Sequence, residues 1–284
     1  MAVTVVTDTT HYLPHELIAD LGVREVSLYV GWDGGLRRES EIVDLGAFYD
    51  ELRTAATVPA TSQPSVGDVL EVYEPLLAEG REIVSIHLSA GLSGTLASAQ
   101  QARAATRAPE RIEVVDSETG CGGLGLAVLA AARAASDGAS REEVAETARR
   151  ARAGLRMWFC VDTLEYLRRG GRVGAAQSWI GGALKIKPIL ALEREITPVE
   201  RVRTATRAFE RMVEYMEALH EAGRDGWAIQ HIRAEEQAER LADRGRAVFR
   251  SEPVFVSEVG PVIGAHVGPG LLGVGGVARD LIRA

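Results

Sequence analysis

The chain is almost without lysine. Of its 32 basic residues only Lys185 and Lys187 are lysines, and both stand in one short segment, LKIKPIL. Cysteine is equally scarce: Cys121 and Cys160 are far apart, each among apolar or small residues. There is no CxxC and no disulfide framework, and the pair reads as buried free thiols. No apolar run approaches the roughly 20 residues of a membrane-spanning helix. The opening MAVTVVTDTT runs straight into a strand-like segment, without the basic and long apolar regions of a secretory leader. The expected compartment is therefore the cytoplasm. Positive charge is also in deficit: the net charge is −8, with acidic residues spread along the chain. A protein that grips a phosphate backbone needs a basic face, so nucleic acid is not an expected partner. No GxGxxG follows the first strand and no GxxxxGK[ST] occurs, which argues against a nucleotide-binding domain. The six histidines carry no HExxH and form no wider metal-spaced cluster, so no metal site is expected.

What is present is an ordinary globular composition, 46% apolar and 25% charged over 284 residues, enough for one large domain or two of common size. The first half alternates strand and helix: VTVVTD, PHELIADLG, VREVSLYVGW, DLGAFYDELRTA, SVGDVLEVYEPLLAEG, EIVSIHLS, SGTLASAQQARAAT and RIEVVDS, followed by two helices. Ser140 and Glu143 make a capping box for the second of these, and Asp44 and Ser65 read as N-caps. Such alternation predicts a parallel sheet covered on both faces, with ligands at the C-terminal edge of its strands. The second half changes character. RMWFCVDTLEYLRRGGRV predicts a strand and a short helix ending at Gly170–Gly171. LKIKPILALER and EITPVERV predict a hairpin. Strands and helices then follow up to a glycine-rich strand–loop–strand ending, GPVIGAHVGPGLLGVGGV. The expected fold is α/β in two domains: residues 1–157 around a parallel sheet in α/β/α layers, and residues 158–284 around a mixed sheet, with the ligand site between them.

Four loops carry polar chemistry. TDTT, Thr7 to Thr10, puts hydroxyls and a carboxylate after the first strand, where they either face a ligand or cap the next turn. ATSQPS offers the hydroxyls of Thr61 and Ser62. SIHLSAGLSGT, residues 85–95, opens a helix at Ser93–Thr95, where free N–H groups and the helix dipole favour an anion. Gly94 there allows close backbone approach. GAHVGPG presents His266 between small residues. Arg203 lies in VRT, after the hairpin.

Taken in order, TSQPS, SIHLSAGLSGT, VDTLEYLRRGGRVG, LKIKPIL, VRT and IGAHVGPGLLG resemble the DegV family, the bacterial fatty-acid-binding proteins that serve as B subunits of fatty acid kinase. The resemblance covers most of the chain. It implies a long-chain fatty acid buried between two α/β domains, its carboxylate held by Thr61, Ser93 and His266. It further implies no catalytic residue in this chain, no cofactor, and a partner kinase that phosphorylates the bound carboxylate with ATP, with Arg203 a candidate for docking that partner. Ala90 stands where a second serine is common, and the helix after VRT is less basic than the family pattern.

The residues themselves agree with a carboxylate held by Thr61, Ser62, Ser93, Gly94 and His266 at the mouth of an apolar tunnel. Burial contributes about 0.8 kcal/mol per CH₂, so the tail would supply affinity and the polar end register. SWIGGALKI offers small and apolar residues for such a tunnel, or for a packing contact. Lys185 or Lys187 either faces the anion or lies on a solvated strand face. The competing reading is a serine hydrolase using Ser93, Asp116 and His266, in the chain order of α/β-hydrolases. Against it, Thr95 replaces the last glycine of the nucleophile elbow.

Overall fold

The computed structural model describes residues 1–32, 34–180 and 186–282. Lys185 and the centre of SWIGGALKI lie outside the described residues. Strand β1 (Val3–Asp8) is β-branched and buried from its second residue onward. It pairs in parallel with β2 (Arg24–Val26) on one side and with a later strand, Glu82–His87, on the other. Between β1 and β2 lies α1 (His15–Ala19). Next come β3 (Tyr29–Gly31), β4 (Arg37–Arg38), α2 (Leu45–Thr54), β5 (Ala60–Ser62) and α3 (Val66–Ala78). Strand β6 (Glu82–His87), α4 (Thr95–Ala105) and β7 (Ile112–Asp116) complete the parallel sheet, whose order is β2-β1-β6-β7. The long helices α5 (Cys121–Ser136) and α6 (Arg141–Gly154) follow.

The second sheet opens with β8 (Arg156–Cys160), continues through α7 (Glu165–Arg169), β9 (Lys187–Leu192), β10 (Ile196–Val202), α8 (Ala205–Glu221), β11 (Gly226–His231), α9 (Glu235–Phe249), β12 (Val256–Glu258) and α10 (Pro261–Val267), and closes with β13 (Leu272–Val277). Its order is β10-β9-β8-β13-β11-β12. All its pairings are antiparallel except β11 with β12, so the sheet is mixed. Helix α5 is buried without a break from Cys121 to Ala132. A helix apolar on every side needs cover on every side, and α5 has it, packing against β1 and β6 of the first sheet and β11 and β13 of the second.

The expected N-caps are in place: Asp44 accepts from Ala47 N–H, and Ser65 and Ser140 each close a capping box. Three expectations are corrected. VREVSLYVGW is not one strand. The chain breaks at Ser27–Leu28, where the Leu28 N–H donates to Thr9 Oγ1 and its carbonyl accepts from Glu39 N–H, so β3 turns away to join β4 and β5 in a small antiparallel sheet. TSQPS is accordingly part strand, with Thr61 opposite Val30. GPVIGAHVGPG is not strand and loop: Pro261 starts helix α10, and the strand begins only at Leu272.

Candidate functional site

A pocket lies between the two sheets. From the first half it takes Leu28, Leu88, Leu92, Gly120 and Cys121; from the second, Met157 and Phe159 of β8, Leu192, Ile196, Gln230, Gly273 and the α10 residues Val262, Ile263 and Val267. The lining is mostly apolar, and its polar side chains include Thr61, Ser62, Gln63, Ser93, Arg172 and His266. Thr61, Ser62, Ser93 and His266, far apart in the chain, therefore meet around one cavity. Thr61 Oγ1 lies 2.8 Å from His266 Nε2. Ser93 Oγ stands 2.9 Å from Thr95 Oγ1 and accepts from Thr95 N–H at 3.3 Å. The N-cap of α4 is Gly94, which has no side chain to cap the helix, so the Ser93 hydroxyl meets its first amide instead.

Gly94 does not line the pocket. A Cβ there would fall 2.2 Å from Gln63 Oε1, so the glycine makes room for Gln63, which does line it. Ala90 is exposed and outside the pocket, so the missing serine removes no donor from the cavity. Lys187 also faces elsewhere: its ammonium pairs with Asp162, in an exposed groove that includes Glu165 and Arg203.

The imidazole of His266 is largely withdrawn from water, and its Nδ1 has no hydrogen-bond partner. Burial, helped by the Arg172 charge, pushes its pKa down to about 4. The ring is neutral at pH 7, so it works by hydrogen bonding rather than by charge. Arg172 supplies the cation instead: its guanidinium holds the carbonyls of Leu92 (3.3 Å) and Gly170 (2.7 Å) and borders the pocket. Sequence reasoning missed Arg172 and Gln230. The signal for Arg172 was the basic residue directly after Gly170–Gly171 in LRRGGRVG.

Helix α10, which carries His266, is anchored by the first half of the chain. Glu39 Oε1 accepts from Val262 N–H at 2.8 Å and from Tyr12 Oη at 2.9 Å, while Tyr12 Oη accepts from Ile263 N–H. Tyr49 Oη donates to the carbonyls of Val259 and Gly260 just ahead of the helix.

The hydrolase arrangement is not assembled. His266 Nε2 is engaged by Thr61, and Asp116 Oδ1 accepts from the N–H groups of Glu118 and Ala90. A serine–histidine–aspartate chain exists elsewhere: Ser85 Oγ is 2.7 Å from His87 Nε2, and His87 Nδ1 is 3.0 Å from Asp8 Oδ2. All three side chains are fully buried and none lines the pocket, so no substrate could reach Ser85. Burial pushes the Asp8 carboxyl up, but His87, Thr10 and the Leu88 N–H outweigh it and hold it below the usual range. The TDTT loop is thus a capped turn, with Asp8 joining β1 to the end of β6.

Fold and site together define an α/β protein with two main sheets and an apolar pocket between them that ends in hydroxyls, an imidazole and a guanidinium. The chain belongs to the DegV family, whose model, described as an uncharacterised protein family, matches residues 2–279. A DegV domain-containing protein of Clostridium acetobutylicum is 38% identical over 279 residues, covering 96% of this chain and 97% of its own length. The DegV protein of Bacillus subtilis is 35% identical over 279 residues, covering 96% and 98%. Among solved structures, a DegV family protein of Thermus thermophilus described by its fatty acid binding superposes with a TM-score of 0.88 at 35% identity, covering 98% of this chain and all of its own. DegV of Bacillus subtilis, described as a fatty acid binding protein, gives 0.85 at 34% identity, covering 97% and 98%. No helix among the described residues is long and apolar enough to cross a membrane.

Proposed function

We propose that this chain binds a long-chain fatty acid between two domains divided near residue 157, and presents its carboxylate to a partner kinase for acyl-phosphate formation. The observation that carries the reading is chemical: an apolar pocket whose hydrogen-bonding side chains include Thr61, Ser93 and a neutral His266. A fatty acid has the matching division, one anionic end and a tail that only apolar walls accept. Each buried CH₂ contributes about 0.8 kcal/mol, so the tail sets affinity, while the hydroxyls and imidazole set register. The fatty acid binding described for the relatives supports the same assignment.

On this reading the chain is a carrier without catalytic residues, and Arg203, exposed beside Asp162 and Lys187, contributes to docking the kinase. The test is to denature purified protein and identify extracted acyl chains by mass spectrometry. About one acyl chain per protein is expected, with oleate uptake reduced in Ser93→Ala and Thr61→Val. Absence of any acyl chain, with no stabilisation by oleate or palmitate, would sink the lipid reading. Arg203→Ala is expected to keep lipid binding and to slow ATP-dependent phosphorylation of bound oleate. Unchanged phosphorylation removes Arg203 from the docking face.

A further inference from the structure

We propose that His231, Glu235 and Glu258 form a binding site for a divalent transition-metal cation, Zn²⁺ first among them, at the C-terminal edge of β11 and β12. The three residues converge from three elements. His231 ends β11 and Glu258 ends β12, paired in parallel register, and Glu235 is the first residue of α9. One ligand atom from each of the three lies within 4.8 Å of the other two. Neighbouring strands in register send paired side chains to the same face, which brings the imidazole beside the Glu258 carboxylate. The four-residue step from His231 to Glu235 returns the chain over that edge.

An independent observation points to a missing ligand. His231 is only 7% exposed, yet its buried Nδ1 has no hydrogen-bond partner. A buried polar atom without a partner costs free energy, and a coordinated cation between imidazole and carboxylates removes that cost. The carboxylates are available to it. Arg240, Arg244 and Arg246, further along α9, are committed elsewhere: Arg244 pairs with Glu210, Arg246 with Glu239, Asp243 and Glu252, and Arg240 lies over Phe209. Glu258 Oε1 also accepts from Arg233 N–H at 2.9 Å, an orienting bond of the kind that fixes a metal-ligating carboxylate.

The donor set selects the metal. An imidazole with two carboxylates suits Zn²⁺ and its first-row neighbours, whereas Ca²⁺ and Mg²⁺ prefer oxygen alone. Ligand bonds of about 2.0–2.2 Å require the three donor atoms to close up slightly, and the exposed Glu235 side chain is free to swing inward. Three protein ligands leave a fourth position for water. The site lies on the opposite face of β11 from Gln230, so it is separate from the pocket, but Glu258 is followed by Val259, Gly260 and α10. A cation here would clamp β11, α9 and β12 directly ahead of the helix that carries His266.

The experiment is calorimetric titration of the chelator-treated full-length protein with ZnCl₂, paired with thermal unfolding, on the wild type and on Glu235→Gln. Glu235 is exposed in the first turn of α9, so the variant should fold, with at most a small change in metal-free midpoint from the altered helix terminus. The expected result is one Zn²⁺ per chain, a raised midpoint with zinc, and binding at least about tenfold weaker in Glu235→Gln. Equal binding by the two proteins would place the zinc on other surface groups and overturn the assignment. So would an absence of stoichiometric binding, and tighter binding of Ca²⁺ or Mg²⁺ than of Zn²⁺ would overturn the choice of metal.

Discussion

His266 sits where packing and acid–base chemistry pull in opposite directions. Burial keeps its ring neutral, with the folded-state pKa near 4 against about 6.5 for a free imidazole. The sign of the consequence follows from proton binding. Between pH 6.5 and pH 4 the unfolded chain holds a proton on this histidine and the folded chain does not. Stability from this group is therefore complete above pH 6.5 and is lost as pH falls toward 4. The full effect is on the order of 3 kcal/mol. His266→Gln keeps an amide that can meet Thr61 and removes the titration. Thermal unfolding from pH 7.5 to pH 4.5 should show a shallower loss of midpoint in the variant than in the wild type. Parallel curves would mean that the imidazole titrates normally and is not held in a dry site.

At the scale of the element, α10 shows how a distant residue decides local structure. It is a seven-residue helix with no side-chain cap of its own. Its first free amides are met by Glu39 and Tyr12, more than 220 residues away in sequence. Glu39 accepts from Val262 N–H, Tyr12 Oη and Thr9 Oγ1, and burial raises its carboxyl pKa above the ordinary value. Glu39→Ala strands one buried and two part-buried donors and should cost roughly 2–4 kcal/mol, loosening the helix that carries His266. Glu39→Gln keeps an acceptor toward Val262 and Tyr12 and removes the buried charge, so its cost should be under about 1 kcal/mol. Urea unfolding of both variants checks this, and an equal loss in the two would show that the charge, not the hydrogen bonding, holds α10. The same contrast explains what the sequence disclosed. The Ser140–Glu143 box, the N-caps Asp44 and Ser65 and the β9–β10 hairpin are local patterns, legible within a few residues. Helix α10, the turn of the chain at Leu28, the pairing of Thr61 with Val30 and the arrival of Arg172 at the pocket depend on partners far along the chain. The meeting of Thr61, Ser93 and His266 was legible only because the motifs around them formed a recognisable set.

At the scale of the whole molecule, the pocket exists because two sheets are held at a fixed separation, and one contact bears directly on that separation. The turn between β9 and β10 docks on the loop after β6: the Arg194 carbonyl accepts from Ser89 Oγ at 2.7 Å, and a Cβ on Gly91 would fall 2.4 Å from the same oxygen. That oxygen is backbone, so it cannot rotate aside as a side chain would. Gly91→Ala must therefore push the hairpin away from the first half, and the hairpin brings Leu192 and Ile196 to the pocket wall. Overpacking of this kind costs about 1–3 kcal/mol where the surroundings cannot relax. A ligand that binds only the folded protein stabilises it by about 2.7 kcal/mol at a hundred times its dissociation constant. The variant should therefore differ from the wild type in two ways: a lower midpoint without lipid, and a smaller rise when oleate is added. Ser89→Ala, which removes the hydrogen bond but adds no bulk, should lower the midpoint while retaining more of the oleate response. A Gly91→Ala protein with the wild-type midpoint and the full response would show that the hairpin moves without disturbing the pocket, and that the separation of the sheets is set by α5 alone.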